Sequence, residues 1–184
     1  HSSQDFLALE LKETMPILLK EELHLTLKEI DYQASEEAVC ETILYPILRE
    51  AWKKYRTFFS LSSHKAIELN EDLKGAPDYL ISKKSDLGRT VLDTPYLAVI
   101  EAKSDNFSKA WGQCLIEMYT IQQLNATPEL PVFGIISNGE TWKFGKLVNN
   151  QFIENETFYD LSNLDDLFSA LINLLENCKQ VYIK

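Results

Sequence analysis

Gly75-Ala76-Pro77-Asp78-Tyr79-Leu80-Ile81 and, after a polar insert, Tyr96-Leu97-Ala98-Val99-Ile100-Glu101-Ala102-Lys103 form the stretch on which the fold turns. Each is an apolar strand-like run with charge at one end: Asp78 enters the first, Glu101 and Lys103 leave the second. Apolar strands of this kind lie in the middle of a sheet, where an unpaired charge costs several kcal/mol. Strand side chains alternate between faces, so Glu101 and Lys103 continue the row of Leu97 and Val99 while Ala102 points away. If residues 77–82 and 96–103 pair antiparallel, Asp78 lies beside Glu101 and Lys103. Two adjacent carboxylates repel unless a proton or a cation sits between them. Hard oxygen ligands select Mg²⁺ or Mn²⁺, and a neighbouring lysine can prepare a water or offset charge on a phosphate.

The bulk properties bound what surrounds this stretch. A chain of 184 residues with 45% apolar and 25% charged side chains is one soluble domain by composition. No repeat, signal peptide or membrane-length apolar run is read, so a cytoplasmic location is expected. Cys40, Cys114 and Cys178 are few, scattered and set in helical patterns, which predicts buried free thiols. His1, His24 and His64 form no metal-ligand spacing. The formal charge of −10 argues against a tight non-specific coat on nucleic acid. Its distribution matters more: residues 1–50 carry a net −7, residues 121–184 a net −4, and residues 51–120 a net +1. Lys53, Lys54 and Arg56, then Lys83, Lys84 and Arg89, leave room for a local, salt-sensitive docking face, although the second group reads first as an exposed loop and only second as a phosphate contact.

Residues 4–30 show helical spacing that predicts two short helices, the second capped by Thr14 with Pro16 in its first turn. Ser35 caps a longer helix over about 35–55, with Glu36 and Glu37 in its first turn and Pro46 expected to kink it. Residues 57–61 fit a strand or the end of that helix and 65–69 alternate; further strands are expected at 77–82, 96–103, 131–137 and 140–147, with an edge strand in 151–158. Asn138-Gly139 marks a hairpin turn. A helix from Asp105-Asn106 to about Asn125 buries Trp111, Cys114 and Met118, and a last helix covers 161–178. Lys109, Gln113 and Glu117 at four-residue spacing read as the solvated face of the helix that starts at Asp105-Asn106. The sum is an α/β chain with a mixed sheet, ordered helix-strand-strand-strand-helix-strand, with extra helices at both ends. One domain is expected over 1–184: a helical extension (1–34), a core (35–147) and a final edge strand and helix (148–184).

Pro77-Asp78 followed by Glu101-Ala102-Lys103 resembles the motif of the PD-(D/E)xK nuclease superfamily. With Trp111-Gly112-Gln113 and the hairpin Gly134 to Phe144, residues 35–147 are similar to stand-alone restriction-endonuclease-like proteins, many of them bacterial or cyanobacterial, related to the nuclease module of type I restriction subunits. The resemblance implies a three-layer core and a Mg²⁺- or Mn²⁺-dependent nuclease acting on nucleic acid, DNA above RNA. It implies Asp78, Glu101 and the Ala102 carbonyl as metal ligands and Lys103 as the catalytic lysine. Gln113 matches a glutamine placed over the site, and a supporting acid falls on Glu36, with Glu37 and then Glu41 as alternatives. In one branch a tyrosine stands four residues after the glutamine; here Glu117 stands there and Tyr119 comes two further on. No complete restriction enzyme is implied.

Each feature has a plainer reading. Charged residues end strands constantly, and Glu36 and Glu37 stabilise a helix dipole without any catalysis. The alternative function keeps the scaffold and drops the chemistry: a binding or assembly module, joined as a homodimer or to a protein partner through the acidic helices.

Overall fold

The computed structural model describes residues 2–104 and 106–183. In chain order the elements are β1 (Ser2–Ser3), α1 (Ile17–Glu29), α2 (Glu36–Val39), a π-turn (Cys40–Leu44), α3 (Tyr45–Lys53), β2 (Phe59–Ser63), β3 (Ile67–Glu68), β4 (Lys74–Gly75), β5 (Tyr79–Lys83), β6 (Asp93–Ala102), α4 (Phe107–Asn125), β7 (Val132–Ser137), β8 (Thr141–Val148), β9 (Gln151–Glu154), β10 (Tyr159–Asp160) and α5 (Leu164–Ile183). The main sheet runs β1-β9-β8-β7-β6-β5-β2, with β10 beside β8. β6 pairs parallel with β7 across the α4 crossover, while β5 pairs antiparallel with both β2 and β6. The mixed sheet is as expected from the sequence.

Alternation along the central strands divides the core into two layers. Ala98, Ile100 and Ala102 of β6 with Phe133 and Ile135 of β7 face the helical layer of Ile43, Leu48 and Leu171. Val99 and Ile136 face α4 through Cys114 and Met118. Both faces of β6 and β7 are therefore covered, which is why these strands read as continuous apolar runs. Trp142 and Phe144 are buried, and the three cysteines are free and buried as expected. No helix among the described residues is long and apolar enough to cross a membrane.

Three local expectations need correction. Residues 4–16 are not helical, and α1 begins after Pro16 without a side-chain cap, so Thr14 does not cap it. This segment instead lies extended along α5. The Met15 amide donates to Asp165 Oδ1 (2.9 Å), the Glu13 amide to Ser169 Oγ (2.9 Å) and the Leu11 amide to Asn173 Oδ1 (3.0 Å). Ser169 Oγ and Asn173 Nδ2 return bonds to the carbonyls of Glu13 and Leu11. An extended backbone must place its polar groups somewhere, and here polar side chains of a helix take the part of a neighbouring strand.

Second, the long helix does not simply kink at Pro46. The Tyr45 amide reaches five residues back to Cys40 O, so the widened turn precedes the proline. A proline ring crowds the carbonyl four residues before it, and a π-turn relieves that contact. Third, strand limits shift: Pro77 and Asp78 precede β5, β6 starts at Asp93, and Lys103 lies beyond its end. β9 is flanked by β1 rather than forming the sheet edge. Ser35 caps α2 as expected, accepting from the Ala38 amide (3.1 Å), and Asn106 caps α4. Asp105, expected to open that helix, lies outside the described residues.

Asn173→Ala removes both bonds to Leu11 and is expected to cost about 1–3 kcal/mol of stability. Urea unfolding would show the loss, and faster amide exchange at Leu11 and Glu13 would locate it.

Candidate active site

Tyr79 stands opposite Ile100 in the antiparallel pair, so the next step along each strand sets Asp78 beside Glu101. Asp78 is then held by the backbone of the neighbouring strand, its Oδ2 accepting from the Ala102 amide at 2.7 Å. A strand residue sends its N–H and C=O out on the same edge, so the Ala102 carbonyl also leaves on the Asp78 side. β2 adds a residue that sequence spacing gave no reason to place here. Ser63 pairs with Tyr79, and His64, at φ 51°, brings its Nδ1 within 3.8 Å of Asp78 Oδ1. The His64 amide also donates to the Asp78 carbonyl at 3.1 Å, one step beyond the last strand pair.

Glu101 faces α4 and is 2% exposed. The Gln113 amide donates to its Oε2 at 3.3 Å. Its Oε1 has no hydrogen-bond partner, and the same is true of Glu117 Oε2. Glu117 corrects the solvated-face reading: it is 2% exposed, whereas Gln113 and Lys109 are exposed. The sequence did hold a signal, since Ala110, Cys114, Glu117 and Ile121 follow a helical repeat down one buried face. Burial first, then the adjoining carboxyl of Glu117, then that of Asp78, push the Glu101 carboxyl far above the ordinary carboxylate range. Burial likewise pushes Glu117 up.

Lys103 does not extend a buried row. Its amide still bonds Ser137 O (2.8 Å), but the side chain is a quarter exposed and pairs with Glu36 Oε2 at 3.1 Å. Burial pulls its ammonium down, and Glu36, Glu101 and Asp78 outweigh that so the net shift is up. It therefore stays charged. Glu37 is exposed and tied to the cap of its own helix. Glu41 is exposed too. The rim of the sheet thus gathers Asp78, Glu101, Lys103, Gln113 and Glu36, with Glu117 and His64 beside them.

A hard divalent cation fits this donor set. Two carboxylates side by side, one of them buried with an unpartnered oxygen, are a costly arrangement that a cation offsets. Asp78, Glu101 and the Ala102 carbonyl could hold it. Among the described residues, however, no three His, Cys, Asp or Glu side chains are already grouped as a metal cage. Separately, a groove of about 390 Å³ lies along β2 at the end remote from Asp78, with Arg56, Lys84 and Arg89 in its lining.

No family model matches the chain, and no curated protein matches it. Solved structures do. A structure of a DrdV–DNA complex matches 88% of this chain with a TM-score of 0.51 at 11% identity, over 14% of the DrdV chain. Over that span the chain shares the fold of a segment of DrdV. The type IIG restriction endonuclease BpuSI aligns with 83% of the chain and 17% of its own, at 18% identity and a TM-score of 0.43. The chain thus spans about a seventh of the DrdV polypeptide.

Glu101 and Glu117 both bind a proton more tightly folded than unfolded. Their contribution to metal-free stability is full below the ordinary value of 4.5 and is lost as pH rises toward the folded values. In the presence of a chelator, stability should therefore fall between about pH 5 and about pH 8. Glu101→Gln should flatten that slope, as read by urea unfolding at the two pH values.

Proposed function

We propose that the chain is a divalent-metal-dependent nuclease that hydrolyses phosphodiester bonds, with DNA the favoured substrate. The observation that carries the reading is the β5–β6 junction, which sets Asp78 beside a buried Glu101 with an unpartnered oxygen and Lys103 at the same rim. Asp78, Glu101 and the Ala102 carbonyl would hold Mg²⁺ or Mn²⁺. When bound, the ion polarises a phosphoryl oxygen and lowers the pKa of a water.

The chain's own groups do the rest. The Ala102 amide fixes the Asp78 carboxylate, and the Gln113 amide fixes one oxygen of Glu101. Lys103 offsets the charge that grows on the phosphate as it is attacked. Glu36 holds the lysine at the rim and is the supporting acid of the pair. The groove with Arg56, Lys84 and Arg89 supplies a distant phosphate contact. At about 3.3 Å per residue along β5, Lys84 lies roughly 20 Å from Asp78. A nucleic-acid backbone spans that distance, and the DNA held by DrdV is consistent with such a substrate.

The reading is tested by incubating single- and double-stranded DNA with Mg²⁺ or Mn²⁺. Asp78→Ala is expected to abolish both metal binding and cleavage. Lys103→Ala should lower cleavage by roughly 10²- to 10⁴-fold while metal binding persists. Metal binding without cleavage in the wild type would instead make the chain a silent binding module. Neutralising Lys84 and Arg89 together should weaken DNA binding alike for all sequences and reduce the salt slope by about 2, measured by fluorescence anisotropy.

A further inference from the structure

Glu117 is an expensive residue where it stands. It interrupts the apolar face of α4 between Cys114 and Ile121 and is 2% exposed. Its carboxyl leans on that of Glu101, a like charge, and its Oε2 has no partner. A glutamine of the same shape could donate to Glu101 and would carry no charge into the core. The backbone is nevertheless shaped around the acid. A Cβ on Gly75 would lie 2.7 Å from Glu117 Oε1 and 2.8 Å from its Cγ, so glycine at that position leaves the space the carboxylate fills. Gly75 belongs to the segment that delivers Pro77 and Asp78 to the rim. One side of the acid thus abuts the approach to Asp78, and the other abuts Glu101.

Resting on the metal-site reading above, we propose that Glu117 is a positioning residue of the divalent-cation site. It orients Glu101 from α4 and adds a third negative charge behind the two strand-borne ligands. Glu117 is 2% exposed and approaches Glu101 from α4, so its part is to support that ligand rather than to be a further one. Its unpartnered oxygen then has a purpose: the charge that is costly without a cation strengthens the hold on one. Groups behind metal ligands typically contribute 10- to 100-fold to metal affinity.

The test is Mn²⁺ binding to the full chain, followed by electron paramagnetic resonance and by calorimetry, with thermal unfolding of the metal-free protein alongside. Glu117→Gln keeps the shape and removes the charge. It should weaken Mn²⁺ binding about tenfold or more while the metal-free protein melts no lower than the wild type. Glu117→Asp, which restores the charge, should bind more tightly than Glu117→Gln. Gly75→Ala, which touches no ligand but displaces the carboxylate, should weaken binding in the same direction; it keeps the question answerable if Glu117→Gln fails to fold. Wild-type binding that is lost in Asp78→Ala but unchanged in Glu117→Gln and Gly75→Ala would overturn this inference alone. If the wild type does not bind Mn²⁺, or Asp78→Ala binds as the wild type does, the metal site itself falls and this role falls with it.

Discussion

A single bond from main chain to side chain sets the geometry of the site: the Ala102 amide donates to Asp78 Oδ2. It forms where the β5–β6 ladder has run out, so a side chain takes up the last amide of β6 on that edge. The arrangement satisfies a buried donor and, by the same contact, fixes a carboxylate beside Glu101. Sheet closure and site assembly are one event. Because Asp78 enters a strand whose next three residues, Tyr79 to Ile81, are buried, it has little freedom to swing away. The carboxylates therefore meet through backbone pairing rather than through flexible loops, the kind of rigid support that functional constellations need.

The helical layers divide the work around that bond. On one face, α2 brings Glu36 to Lys103; on the other, α4 brings Gln113 and Glu117 to Glu101. The first pair is about a quarter to two-fifths exposed, so its contribution to stability is small, and its effect is to orient the ammonium. The second is buried, where the same charges act far more strongly. The lysine is thus placed where substrate can reach it, and the paired glutamates where water is scarce.

Much of this was legible in the sequence because it depends on short-range pattern. Apolar runs with charged ends gave the central strands, Asn138-Gly139 gave the hairpin, and the pairing of Asp78 with Glu101 followed from antiparallel order alone. His64 was not legible, since only the β2–β5 register brings it near Asp78. Glu117 was misread because its four-residue spacing from Gln113 outweighed its equally regular spacing from Cys114 and Ile121. The segment 4–16 was misread for a different reason. Its apolar spacing suits a helix, but polar groups some 150 residues away offer its backbone a better set of partners.

That last contact obeys a rule of pitch. Leu11, Glu13 and Met15 advance by two residues along an extended chain, about 6.7 Å per step. Asn173, Ser169 and Asp165 retreat by four along a helix, about 6.0 Å per step. The two lattices nearly match, slipping by about 0.7 Å at each step, so a helix can stand in for a strand over a few rungs but not over many. The ladder of three works as a vernier: sliding the chain by one residue would turn its amides away from α5 altogether. A short polar repeat on one helix thereby fixes the register of a segment that has no hydrogen-bonding pattern of its own.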